Sequence, residues 1–135
     1  MSTRSQIWFY DTRWGTKEAP KGGSEATAVI YHHCDGYPTE RLPNIKEAFD
    51  ASSRNDDMSD VAAWYVKIHK DGDGNVYIDH FEHGDLAYAY EVWFLDEPMV
   101  RVRDSSVKGS ILFEGTLAQA WAEAASIEDI GNEDY

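Results

Sequence analysis

The sequence predicts an α+β domain, a single antiparallel β-sheet of five or six strands with two or three helices packed on one face. Three observations carry this. Runs rich in β-branched and aromatic residues recur at Ile7 to Tyr10, Ala26 to Tyr31 and Leu86 to Phe94. Helical spacing governs Leu42, Ile45 and Phe49, and again Val61, Trp64, Tyr65 and Ile68. No repeat, low-complexity tract or break in composition divides the 135 residues, so residues 1–135 are read as one domain.

Ile7-Trp8-Phe9-Tyr10 is a first strand, apolar on both sides, that ends at Asp11 to Trp14. The link from Gly15 to Glu25, with Pro20, Gly22 and Gly23, is too polar for a crossover helix, so the first two strands should pair antiparallel. Ala26 to Tyr31 carries apolar groups at both parities, as a strand buried on both faces does. Asp35-Gly36 then supplies a turn, and Pro38 holds Tyr37 extended, making a rigid corner that leads into a helix.

That helix should run from about Leu42 to Ala51 with Pro43 in its first turn, followed by a polar link from Ser52 to Asp57. Ser59 can cap a second helix from Asp60 to Lys70. Trp64, Val66 and Ile68 also alternate, and Asp71-Gly72-Asp73-Gly74 suits a hairpin, so a strand there stays open. Val76 to Phe81 reads as a strand, and His83-Gly84-Asp85 as a turn. In the next strand Leu86, Tyr88, Tyr90, Val92 and Phe94 face one way, Ala87, Ala89, Glu91 and Trp93 the other, until Pro98 closes it. Met99 to Arg103 alternates valine with arginine, like a strand with one wet face. Ile111 to Phe113 is a last short strand, and Thr116 with Gln119 forms a capping box for a final helix from Leu117 to Ile127. The acidic tail from Glu128 to Tyr135 is expected to fray.

Charge is the strongest compositional fact: 25 acids against 12 Lys and Arg give a net charge of −13. Such a surface repels phosphate backbones and anionic membranes and attracts basic partners, which argues against direct nucleic-acid or membrane binding. Asp56, Asp57, Asp60, Asp96 and Glu97 form the candidate acidic surface, with Glu128-Asp129 as a further acidic pair. Trp14, Tyr37 and Trp93 are possible aromatic anchors beside them. The plain alternative is that the acids serve solubility and the aromatics pack. A lone Cys34 excludes an internal disulfide and suits a reducing compartment. With neither a signal-type h-region nor a spanning apolar run, a cytoplasmic location is expected.

Four of the five histidines fall in two clusters, His32-His33 and His80 with His83, each near an acid, Asp35 or Asp85. If the clusters converge, His33, Asp35, Tyr37, His83 and Asp85 form a corner site. Two imidazoles and a carboxylate there would suit a transition-metal ion. Neighbouring His32 and His33 point to opposite faces, so only one can join. The competing account has Asp35 accepting turn amides and the histidines packing or lying in solvent. Asp71, Asp73, Asn75, Ile78 and Glu82 match calcium-loop spacing, but Val76 occupies the position that needs glycine, and a plain Asp-Gly turn explains the run better. Cys34 lies among histidines but beside Asp35, and no nucleophile elbow or phosphate loop is present. No catalytic set is therefore expected, and no cofactor beyond a possible metal ion.

His33-Cys34-Asp35-Gly36-Tyr37-Pro38 after an apolar strand, followed by Gly84-Asp85-Leu86-Ala87-Tyr88-Ala89-Tyr90-Glu91-Val92, resembles a widespread group of small phage, prophage and bacterial accessory proteins that mostly lack an assigned activity. The resemblance spans about Ile30 to Arg103 and implies a setting rather than a reaction. Taken with the charge, it leads to the expectation of a phage or mobile-element accessory protein that binds a host protein with a basic surface, inhibiting a defence or nucleic-acid-handling system. The rival expectation is a small-molecule or metal-binding protein that uses the corner. A third makes the corner fold scaffolding alone. A homodimer is compatible with each.

Overall fold

The computed structural model describes residues 3–12, 19–21, 25–73, 75–79 and 82–132. Trp14, Gly74, His80 and most of the Gly15 to Glu25 link lie outside the described residues. The chain forms β1 (Ser5–Phe9), β2 (Ala28–His32), α1 (Pro38–Ala51), α2 (Met58–Asp73), β3 (Tyr77–Asp79), β4 (Tyr88–Phe94), β5 (Pro98–Asp104), β6 (Ile111–Thr116), α3 (Leu117–Ala122) and α4 (Ala124–Asn132).

The fold is α+β with one six-stranded sheet in the order β3-β2-β1-β4-β5-β6. The expected all-antiparallel sheet needs one correction: β1 pairs antiparallel with β2 but parallel with β4, Ser5 lying opposite Tyr88. The cause is the return from β3. β3 ends with Asp79 level with Val29, whereas β4 begins beside Ser5, so the chain doubles back along the sheet and enters β4 in the direction of β1.

All four helices bury residues in one cluster on one face of the sheet. There Ile7, Phe9, Ile30, Tyr90, Val92 and Val100 meet Leu42 and Ile45 of α1, Val61 and Tyr65 of α2, Leu117 of α3 and Ile127 of α4. Among the described residues the other face carries no helix. Trp8, Tyr10, Val29, Ala89, Trp93 and Val107 form a smaller cluster there.

Local chemistry moves several element boundaries. α1 starts at Pro38, whose fixed φ suits a first helical position, so Pro43 lies inside the helix rather than in its first turn. α2 is a helix because Val61, Ala62 and Tyr65 are buried one turn apart, which a strand cannot arrange. Its cap is Asp57, not Ser59: Asp57 Oδ1 accepts the Ser59 N–H at 3.1 Å. Asp71 to Asp73 continue α2, so neither a hairpin nor a calcium loop begins there.

Pro98 opens β5 opposite Phe94 instead of ending β4. The expected wet face of β5 is dry at Arg101, which donates to the fully buried Glu91 at 2.7 Å and to Glu114 at 3.0 Å. Arg103 Nε reaches the same Glu91 oxygen at 2.6 Å. Burial acts to lower the Arg101 pKa, but these bonds outweigh it and raise the value. The capping box at Thr116 and Gln119 forms, yet the expected single last helix breaks at Glu123 into α3 and α4. Helix continues to Asn132 and so takes in residues 128–132 of the acidic tail, and residues 133–135 lie outside the described part.

Candidate functional site

The corner between β2 and α1 is held through its backbone. Asn75 bonds it twice, Oδ1 accepting from the His33 N–H at 2.7 Å and Nδ2 donating to the Cys34 carbonyl at 2.8 Å. The Arg41 Nε donates to the Asp35 carbonyl at 2.9 Å, and the Tyr90 hydroxyl to the Gly36 carbonyl at 2.6 Å. The Gly36 N–H reaches the Thr3 carbonyl at 2.8 Å. Asp35, not Gly36, takes the left-handed conformation, at φ 58°. Glycine is needed at 36 for closeness: a Cβ there would lie 2.7 Å from the Ser5 side chain and 2.8 Å from the Thr3 carbonyl.

Strand alternation separates the two adjacent histidines. His32 points into the helix-covered face, wholly buried, with Nε2 2.6 Å from the Tyr65 hydroxyl and the Arg41 Nη1 2.8 Å from Nδ1. Burial, and then the Arg41 charge, lower its pKa to about 3. A ring held neutral and surrounded by protein has no access to a ligand. His33 is exposed at the far end of β2.

His33 meets His83, one member of the second histidine cluster, across Tyr31. The β3 to β4 return brings His83 flat onto the Tyr31 ring, with centroids 3.9 Å apart and planes at 10°. The His83 N–H donates to Gln6 Oε1 at 3.3 Å. The Tyr31 hydroxyl lies 3.1 Å from His33 Nδ1. Tyr31, His33, Tyr77, Ile78, Asp79 and His83 line one open cleft of about 490 Å³ at the β3 edge of the helix-free face. Tyr77 and Ile78 are 50% and 63% exposed there, an apolar rim beside polar groups.

Among the described residues each imidazole in the cleft is tied by one nitrogen only. His83 Nε2 lies 3.1 Å from Asp79 Oδ2, and that carboxylate is oriented by Gln6 Nε2 at 2.8 Å. His33 Nδ1 faces the Tyr31 hydroxyl and, at 3.4 Å, the Arg4 Nε. Burial, opposed by Arg4, raises the Tyr31 pKa, so its phenol stays protonated and can donate. Arg4 is itself paired with Asp85 at 2.6 Å. No partner among the described residues takes His33 Nε2 or His83 Nδ1.

Of the five expected corner residues, then, His33 and His83 line the cleft and Asp85 supports it through Arg4. Asp35 does not line it: the residue is exposed, and its part is the backbone turn. Tyr37 is the N-cap of α1, with its ring 6.4 Å from Tyr88. Among the described residues no three His, Cys, Asp or Glu side chains are grouped to hold a metal. His33 also has its second nitrogen facing donors, the reverse of the acceptor that supports a metal-bound imidazole. Asn75, a candidate calcium ligand, is used by the corner, and Cys34 is half-buried.

The acidic surface divides. Asp57 is buried as the α2 cap and Asp60 accepts the Ser52 hydroxyl, whereas Asp56, Asp96 and Glu97 are exposed. Trp93 is buried, which removes it as an anchor.

Sequence reasoning missed Arg4, Gln6, Tyr31, Tyr77 and Asp79. The signal available was parity: Gln6, Tyr31 and Tyr77 stand in register across β1, β2 and β3 on one face, which only the strand pairing reveals. No helix of the described residues is long and apolar enough to cross a membrane. Neither a protein-family model, a curated protein nor a solved structure matches the chain.

Proposed function

We propose that this protein is a binding protein that holds a small planar, polar ligand in the cleft at the β3 edge. The observation that supports this reading is the pair of imidazoles flanking Tyr31 and lining the same cleft, each anchored by one nitrogen with the other unpartnered among the described residues. Anchored polar groups beside exposed apolar surface are what a small-molecule site requires. Native mass spectrometry of protein purified without chelators tests the proposal. A mass lost on denaturation, and absent from both His33→Ala and His83→Ala, is expected; the same added mass in wild type and both variants would overturn it.

A second reading keeps the acidic surface: an accessory protein of phage or mobile-element type that docks on a basic host protein and inhibits a defence or nucleic-acid-handling system. One observation favours it. Glu97 borders a small groove of about 170 Å³ with Phe49, Pro98 and Leu117, an apolar centre whose rim carries Glu97 and the Lys46–Asp50 pair at 2.6 Å. Reversing Asp96 and Glu97 to lysine should abolish retention of a host protein on the immobilised chain. Undiminished retention sinks the reading.

A further inference from the structure

The cleft's hydrogen bonds also bear on which donors and acceptors its two imidazoles can present. An arginine can only donate, so the Arg4 Nε at 3.4 Å makes His33 Nδ1 an acceptor. In the neutral ring the proton then sits on Nε2, and His33 offers the cleft an N–H. The Asp79 carboxylate can only accept, so His83 Nε2 is the donor in that 3.1 Å contact. In the neutral ring His83 Nδ1 is thereby left as a lone pair. The rings share one tautomer but present opposite groups, because Tyr31 and Asp79 hold opposite ends of them. Of the charged groups near the cleft, Arg4 is paired with Asp85, Asp79 is held by His83 and Gln6, and Lys70 Nζ donates to the Val76 carbonyl while lying 5.0 Å over the Tyr77 ring.

We infer that the cleft recognises an uncharged planar heterocycle of the lactam or imide type, whose edge carries one acceptor for His33 Nε2–H and one N–H donor for His83 Nδ1, with its face against Tyr77. This rests on the proposed binding role of the same cleft. Aromatic faces favour a flat ring, and the opposed donor and lone pair select an edge that has both functions. A metal ion would need two lone pairs, and a carboxylate two donors; the cleft offers one of each.

The test uses the full chain labelled with ¹⁵N-histidine and two probes of nearly the same shape, uracil and 1,3-dimethyluracil, the second lacking N–H donors. Long-range ¹⁵N–¹H spectra should place the proton on Nε2 in both His33 and His83. A Nδ1–H tautomer in either ring overturns the assignment. Uracil should shift both imidazoles and bind at least about tenfold more tightly than 1,3-dimethyluracil, the effect of one lost hydrogen bond. His33→Gln, which keeps a donor on the rim, should hold uracil within about threefold, and His33→Leu should weaken it by about tenfold or more. Equal shifts from both probes would discard edge recognition and leave the cleft as a binding site. No shift from either probe would discard the heterocycle class, while the native-mass comparison still decides the binding role separately.

Discussion

The corner and the cleft share His33 and are built in opposite ways. In the corner, the His33 N–H, the Gly36 N–H and the three carbonyls of Cys34, Asp35 and Gly36 all have partners within the protein. In the cleft, two imidazole nitrogens have none among the described residues, and Tyr77 and Ile78 lie exposed. Buried polar groups must be bonded, so a dense cluster of polar residues at a turn reports scaffolding first. The cleft instead keeps anchored polar groups with a hydrogen-bonding position open among the described residues.

The contrast can be broken from the corner side. Asn75→Ala should have the largest effect, a loss of about 2–4 kcal/mol, because it removes two bonds and leaves the His33 N–H and Cys34 carbonyl unsatisfied. Urea unfolding measures it, and a change below about 0.5 kcal/mol would show that the corner does not depend on that bridge. Gly36→Ala should cost about 1–3 kcal/mol through overpacking against Ser5 and Thr3.

Acid should sharpen the difference between the two adjacent histidines. The folded-state pKa of His32, about 3, lies below the ordinary 6.5, so the unfolded chain binds its proton first. The His32 contribution is complete above pH 6.5 and is lost as pH falls toward 3, at up to about 1.4 kcal/mol per pH unit. Stability curves of wild type and His32→Leu should converge on acidification in that window; parallel curves would contradict the buried neutral ring.

The smallest effect is expected in the cleft. His33→Ala should shift stability by no more than about 0.5 kcal/mol while removing bound ligand. Thermal unfolding and native mass measured on one preparation would separate the two readouts, and a cooperative loss of both would make His33 part of the scaffold.

Much of the fold was legible because periodicity reports burial. The β4 alternation of Tyr88, Tyr90 and Val92 against Ala89, Glu91 and Trp93 divides between the two faces as read, since each parity meets a different environment. Parallel pairing of β1 with β4 was not legible, because strand direction depends on how the return from β3 travels, and no local pattern encodes that path. Arginine at 101 looks solvated in isolation; Glu91, directly opposite in register, makes it a buried ion pair. The site was half legible for the same reason. Histidine spacing brought out His33 and His83, but Tyr31, Asp79 and Gln6 gain their roles only through strand register and the return that lays His83 over Tyr31.

The central strand pair also sets a timetable for folding. β1 is complete at Phe9, yet one of its two neighbours, β4, begins only at Tyr88. Until β4 is available, the β4-facing edge of β1 carries unpaired backbone groups beside apolar Ile7 and Phe9. Such long-range parallel pairing slows folding and exposes an aggregation-prone edge in the interval. A chain interrupted before Tyr88 would lack the middle of its own sheet, and would therefore be a substrate for chaperones and proteases rather than a smaller version of the domain.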